Sequence, residues 1–129
     1  MQSKVIAIDF DGTIVSHEYP KIVRPNPRAF GVMNRLQGEG HKLILWTMRS
    51  GAYLDEAVEF CSDHGLTFWD INQNPEQLMR PASRKVFADL YIDAAALGCP
   101  TKFDQPSNRN WVNWRDVEGI LIRTGYLTS

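Results

Sequence analysis

The chain has 129 residues, of which 43% are hydrophobic and 22% charged, and its formal net charge is -1. This length and composition are typical of a single globular domain that spans residues 1–129. The near-zero net charge argues against a nucleic-acid-binding surface and against a surface for acidic membranes. Cys61 and Cys99 are far apart and show no CxxC spacing, so neither a disulfide framework nor a zinc site is expected.

The hydropathy of the chain also indicates the cellular location to expect. No apolar run approaches the roughly 18 residues of a membrane span, and the first residues do not show the pattern of a signal peptide. We therefore expect a cytoplasmic protein without a membrane partner. The sequence leaves the oligomeric state open.

The first predicted element is a short buried strand over residues 5–8, and two acids follow it. In an extended chain, alternate side chains share a side, so Asp9 and Asp11 point the same way. Closely spaced carboxylates that leave water each disfavour the charge of the other. A metal ion or a shared proton is therefore expected beside them, and Gly12 lets the chain turn sharply after the acids.

The next segment, residues 16–25, contains two prolines and predicts a hairpin or flap rather than a helix. Asn26 and Pro27 then have the residue types of an N-cap and a first helical position. The helix that follows is expected to end at Gly38 and Gly40.

A second buried strand is predicted over residues 42–47, followed by a helix that Ser50 caps and Gly65 closes. Residues 66–71 read as a third, shorter strand. A brief helix is predicted over residues 75–80.

The last part of the chain predicts a fourth strand over residues 86–92, which ends at Asp93. Residues 97–110 contain glycine and prolines with few periodic apolar residues, and predict a loop. Asn113 is expected to cap a final helix.

Strands that alternate with helices predict an α/β fold: an open, Rossmann-like parallel sheet of about four strands with helices on both faces, as a three-layer sandwich. Sites in such sheets lie beyond the carboxyl ends of the strands. Asp9, Thr47 and Asp93 each follow or end an apolar strand, so we expect them together at that edge.

The segment Asp9-Phe10-Asp11-Gly12-Thr13, followed in order by Thr47, Lys85 and Asp93, resembles the four motifs of the haloacid dehalogenase (HAD) superfamily of phosphohydrolases. The resemblance covers residues 5–98. It implies a HAD-like fold and a HAD-type phosphatase. The spacing between the motifs leaves room only for core elements, so the chain looks like a small member without a cap domain.

The resemblance implies a role for each acid. Asp9 is the expected nucleophile, which forms an aspartyl-phosphate. Asp11 is the expected general acid for the leaving oxygen and the general base for the water that follows. A Mg²⁺ cofactor is expected on Asp9, on the main-chain carbonyl of Asp11 and on Asp93.

The resemblance also implies how the substrate is held. The Thr47 hydroxyl and the Met48 amide are expected to bind phosphate oxygens near a helix start, and Lys85 to neutralise the remaining charge. Arg49 and His17 are candidate substrate contacts. The expected substrate is a small-molecule or macromolecular phosphomonoester, whose identity stays open.

One departure from the family pattern favours a second interpretation. Many members carry a second acid after the fourth-strand aspartate, where this chain has Ala94. The alternative is therefore a catalytically impaired module of the same fold that binds phosphate and Mg²⁺. A signalling receiver domain has similar parts, but its mid-chain strand ends in an aspartate, and here that position is Thr47.

Overall fold

The computed structural model describes residues 2–77 and 83–129. Along this part of the chain the elements are β1 (Val5–Ile8), α1 (Ala29–Gly38), β2 (Lys42–Leu45), α2 (Gly51–Asp63), β3 (Asp70–Ile71), β4 (Leu90–Ile92), β5 (Thr101–Asp104), β6 (Arg109–Val112) and α3 (Trp114–Arg123). No helix among them combines the length and apolar character that a membrane crossing needs.

Four of the strands form one parallel sheet in the order β3-β2-β1-β4. The central strand β1 pairs with β2 on one side and with β4 on the other. Rossmann folds likewise place the second strand between the first and the third, whereas receiver-type sheets place the first strand between the second and the third. The predicted α/β class and Rossmann-like parallel sheet are confirmed, and the receiver topology is not the one observed.

The core lies on one face of this sheet. Ile6 and Ile8 of β1 point to that face, together with their register partners in β2 and β4. Buried side chains of all three helices pack there: Ala29, Val32, Met33, Leu36, Ala57, Cys61, Trp114, Val117 and Leu121. Ala7 and Ile44 point to the opposite face and lie outside this cluster. The predicted second helical layer is not found among the described residues and stays a prediction.

Helix α1 begins later than the sequence predicts. It starts at Ala29, after Arg28 in a left-handed conformation (φ 69°), so Asn26 is not its N-cap. The Asn26 amide instead donates to the main-chain carbonyls of Thr13 and Val112 at 3.0 and 2.7 Å. The polar residue that resembles a cap thus joins two distant segments, because its side chain is buried between them.

The predicted loop over residues 97–110 is wrong from residue 101 onwards, where β5 and β6 form an antiparallel hairpin. Asn108, with φ 60°, helps the chain reverse between the strands. This segment contains few apolar residues, and the strands of the hairpin accordingly bury only Asp104, Trp111 and Val112.

Other boundaries also differ. Strands β2, β3 and β4 are shorter than predicted, although the flanking amides of Trp46, Trp69 and Asp89 still donate to carbonyls of neighbouring strands. Residues 75 and 76 form a turn, and the rest of the predicted brief helix lies largely outside the described residues. The predicted positions of Ser50 before α2 and Asn113 before α3 are confirmed, and Asn113 accepts a hydrogen bond from the amide of Asp116.

Helices α1 and α3 are joined by an ion-pair network around Glu118. Its carboxylate accepts hydrogen bonds from Arg28 and, at 2.6 Å, from Arg35. Burial raises the pKa of Glu118, but the hydrogen bonds and charges of the two guanidinium groups outweigh burial, so the pKa lies below its usual value.

We expect Glu118→Gln to lower the free energy of unfolding by up to about 1 kcal/mol at pH 7. Because folding lowers the pKa of Glu118, this difference exists above the pKa of an unfolded glutamate, about 4.3. It disappears as the pH falls through the lower folded value. Urea denaturation between pH 3 and 7 measures it, with the exposed Glu59→Gln as control; an equal loss in both variants contradicts the prediction.

Candidate active site

The carboxyl ends of three adjacent strands bring the predicted site residues to one edge. Asp9 directly follows β1, Asp93 directly follows β4, and Thr47 lies two residues beyond β2. The amide of Asp9 donates to the carbonyl of Ile92 at 3.0 Å, which continues the pairing of β1 with β4. Asp9 and Asp93 are therefore held side by side, as the sequence predicts.

The Thr13 hydroxyl fixes one oxygen of the Asp9 carboxylate. It donates to Oδ2 of Asp9 at 2.9 Å and accepts from the amide of Ala94 at 3.0 Å. Thr13 is fully buried, so this chain of hydrogen bonds is shielded from water. It couples the loop after β1 to the loop after β4 and leaves Oδ1 of Asp9 for other partners.

The environment of Asp9 raises its pKa to about 7. Burial is the largest cause, and the negative charge of Asp93 adds to it. Hydrogen bonds from Thr13 and from the amide of Phe10 act in the opposite direction, and Asp11 raises the pKa slightly further. Asp9 and Asp93 are thus a close acidic pair without a sufficient countercharge from the protein.

Asp11, by contrast, has a countercharge of its own. Nε and Nη2 of Arg49 donate to its two carboxylate oxygens at 2.9 and 2.7 Å. The Arg49 side chain is only 1% exposed, and its Nη1 donates to the carbonyl of Tyr53 at 3.2 Å. The predicted contact of Arg49 with a substrate stays a prediction, and the structure places this side chain in a buried two-pronged ion pair.

Two aromatic rings enclose the Arg49 guanidinium. Its central carbon lies 5.0 Å from the ring centre of Phe10 and 5.0 Å from that of Tyr19. Tyr19 belongs to the predicted flap, residues 16–25, and its ring meets that of Tyr53 edge to face at 5.7 Å. Arg49 therefore ties the flap and the first turn of α2 to the loop after β1, residues 9–13, which carries Asp9 and Asp11 and is called the acidic loop below.

The turn after β2 presents the predicted phosphate-binding groups. The Thr47 amide donates to Oδ1 of Asn72 at 2.8 Å, and the Thr47 hydroxyl accepts from the amide of Arg49 at 3.1 Å. The Met48 side chain is fully exposed, and its amide donates to no acceptor in the described part of the chain. An open amide beside a fixed hydroxyl is suited to a phosphate oxygen.

Lys85 is not brought to the acids. Its ammonium lies 5.7 Å from the ring centre of Tyr91, and Tyr91 shares the sheet face of Ala7, opposite the helices. Residues 2–77 and 83–129 place no carboxylate within 4.0 Å of this ammonium. Its predicted role in charge neutralisation stays a prediction.

Two basic side chains, His17 and Arg109, lie on the rim of the site, and the sequence indicated only His17. His17 of the flap packs on Gly12: a Cβ at Gly12 would lie 2.9 Å from the imidazole Cδ2. Nη2 of Arg109, on β6, lies 3.3 Å from Nε2 of His17. Arg109 was missed because residues 97–110, with few apolar residues, read as a loop.

Comparison with solved structures gives one relative. A conserved protein from Bacteroides thetaiotaomicron is 38% identical in sequence, with a TM-score of 0.78, over 95% of this chain and 93% of its own. No model of a known protein family matches the chain, and no curated protein does.

We expect Arg49→Leu to lower the free energy of unfolding by about 3 kcal/mol in metal-free buffer, because the carboxylate of Asp11 then lacks its buried partner. The double variant Asp11→Asn/Arg49→Leu should recover part of this loss. Guanidinium denaturation measures both, with the exposed Arg115→Leu as control. A double variant less stable than the sum of the single changes contradicts the ion pair.

The raised pKa of Asp9 makes the metal-free protein lose stability as the pH rises from about 4, the pKa of an unfolded aspartate, to about 7. Over this range the folded state binds more protons than the unfolded state. We expect Asp9→Asn to remove a slope of up to about 1.4 kcal/mol per pH unit. Denaturation curves in a chelator test this; parallel pH profiles for Asp9→Asn and the wild type overturn it, and the exposed Asp63→Asn is the control.

Proposed function

We propose that this chain, which belongs to the same protein family as the conserved protein from Bacteroides thetaiotaomicron, is a Mg²⁺-dependent phosphomonoester hydrolase. The observation that carries the proposal is the pairing of Asp9 and Asp93 at adjacent strand ends, with the pKa of Asp9 raised to about 7 by burial and by the charge of Asp93. A cation beside Asp9 would favour its ionised form at neutral pH. The resemblance to HAD phosphohydrolases names the chemistry.

The residues present fit a magnesium ion by the chemistry of their donors. Oδ2 of Asp9, which keeps a lone pair beside its hydrogen bond from Thr13, and the carboxylate of Asp93 are oxygen ligands, and the main-chain carbonyl of Asp11 accepts no hydrogen bond from a described residue. Mg²⁺ prefers such oxygens and keeps several waters. No group of three His, Cys, Asp or Glu side chains gathers in the described part of the chain, because the Asp11 carboxylate faces Arg49. When bound, the ion supplies the positive charge that a phosphate needs beside two acids.

In the proposed reaction Asp9 attacks the phosphorus atom. A bond forms between Oδ1 and phosphorus, the bond to the leaving oxygen breaks, and that oxygen takes a proton from Asp11. Water then attacks the aspartyl-phosphate and gives a proton to Asp11, which restores both acids and releases phosphate. The hydrogen bond from Thr13 to Oδ2 supports this role, because it holds the carboxylate in one orientation.

The phosphate oxygens would lie against the turn after β2. The Thr47 hydroxyl and the open Met48 amide support this placement, and both precede α2 closely. The amides near a helix start carry a partial positive charge. These groups are neutral, so they bind phosphate without competing with Asp9 for the cation.

A specific observation favours the second candidate, a binding module without turnover. Both oxygens of Asp11 are engaged by Arg49, so the proposed acid must leave at least one of these hydrogen bonds to act. Ala94 also stands where many HAD members carry a second acid, and here only its amide serves the site. Such a module would bind Mg²⁺ and phosphate but release no product.

We expect release of phosphate from p-nitrophenyl phosphate that requires Mg²⁺ and that falls by about 10³-fold or more in Asp9→Asn. The exposed Asp63→Asn, with the same change of charge, should keep the wild-type rate. Turnover that survives in Asp9→Asn rejects Asp9 as nucleophile and with it the mechanism.

A melting experiment separates the two candidates where p-nitrophenyl phosphate is not a substrate. Beryllium fluoride with Mg²⁺ mimics an aspartyl-phosphate, and it should raise the melting temperature of the wild type but not of Asp9→Asn. Stabilisation without turnover of any phosphomonoester supports the binding module. Absence of both turnover and stabilisation overturns both candidates.

A further inference from the structure

Two basic side chains meet on the rim of the candidate active site, one from the flap and one from the hairpin. His17 lies on Gly12, the residue after Asp11, so closely that a Cβ there would be 2.9 Å from the imidazole. Nη2 of Arg109 lies 3.3 Å from Nε2 of His17. His17 is half-buried and Arg109 is exposed, so the pair faces solvent beside the acidic loop.

The position of Arg109 is fixed by the packing of its hairpin on the acidic loop. The amide of Val112 donates to the carbonyl of Gly12 at 3.0 Å. The Asn26 amide binds the carbonyls of Val112 and Thr13, which joins the same two segments again. These hydrogen bonds hold β6, and with it the main chain of Arg109, in a fixed position beside the acidic loop.

The acidic residue opposite Arg109 in the hairpin already forms an ion pair with another arginine. Asp104 is the cross-strand partner of Arg109, but its two oxygens accept from Arg24 at 3.2 and 2.6 Å, and Ser107 donates to one of them. Arg24 in turn lies over the ring of Trp111. In the described part of the chain no carboxylate oxygen lies within 4.0 Å of the Arg109 guanidinium.

We propose that His17 and Arg109 form a second anion-binding position, which binds an anionic group of the substrate other than the phosphate that is hydrolysed. The proposal rests on the phosphomonoesterase function and names its substrate class. A guanidinium presents several donors in one plane, and its preferred partners are phosphate and carboxylate. An imidazole in contact with it adds a further polar group to the same position.

The distance along the chain limits the size of the substrate. His17 touches the residue next to Asp11, and consecutive Cα atoms are only about 3.8 Å apart. Because the second position begins beside Gly12, we infer a compact substrate in which a short chain of bonds joins the second anionic group to the hydrolysed phosphate. Compact bisphosphates and phosphorylated carboxylic acids have this form.

Three related substrates test the proposal. Glycerol phosphate has one anionic group, phosphoglycerate adds a carboxylate, and glycerol bisphosphate adds a phosphate. We expect kcat/KM for at least one of the last two to exceed that for glycerol phosphate by about tenfold or more, since each carries the group that pairs with the guanidinium. The preferred compound identifies the second group as carboxylate or phosphate.

Variants assign this preference to the proposed residues. Arg109→Gln and His17→Gln should each reduce the ratio of kcat/KM values severalfold, while Lys102→Gln, an equal loss of charge for the arginine change on the same hairpin, should not. A ratio near one in the wild type, or a ratio that Arg109→Gln leaves unchanged, overturns the second position. Turnover of p-nitrophenyl phosphate in the same protein then leaves the phosphomonoesterase function standing.

A binding measurement covers the case in which none of these compounds is hydrolysed. Calorimetry with Mg²⁺ compares the affinity of the wild type for glycerol phosphate with its affinity for the two doubly anionic compounds. Tighter binding of a doubly anionic compound that Arg109→Gln abolishes supports the second position without turnover. Equal affinities overturn it.

Discussion

Thr13 is the residue through which the parts of this structure are joined. Its hydroxyl donates to Asp9 and accepts from the amide of Ala94, and its carbonyl accepts from the Asn26 amide and from the indole of Trp114 at 2.7 Å. These partners lie in the loops after β1 and β4, before α1 and in α3. Because Thr13 is fully buried, no water replaces a missing partner, and each segment is held in one position relative to Asp9.

The acids and the bases of the site come from different parts of the fold. Asp9 and Asp93 are placed by the paired strands of the sheet, whose carboxyl ends must meet. Arg49 and Arg109 come from the turn before α2 and from the hairpin, which pack on that edge. The sheet thus sets the positions of the two carboxylates, and the surrounding elements set the positions of the basic side chains.

This difference explains what could be predicted from the sequence. Asp9, Thr47 and Asp93 follow apolar strands, and strand ends are a local property that a single sequence displays. The pairing of Asp11 with Arg49 and the approach of Arg109 to His17 are contacts between distant segments. No periodic pattern in the sequence predicts these contacts, because they depend on where a turn or a hairpin places a side chain in the folded protein.

The ion pair between Asp11 and Arg49 also determines which acids face each other at the strand ends. Were the Asp11 carboxylate turned towards Asp9, three acids would share one edge of the sheet and repel one another more strongly. The guanidinium of Arg49 draws it away and holds both its oxygens, and its central carbon lies 5.0 Å from the ring centres of Phe10 and Tyr19. Only Asp9 and Asp93 then face each other. Arg49 therefore sets the charge of the site as much as the acids do, although it lies after a different strand.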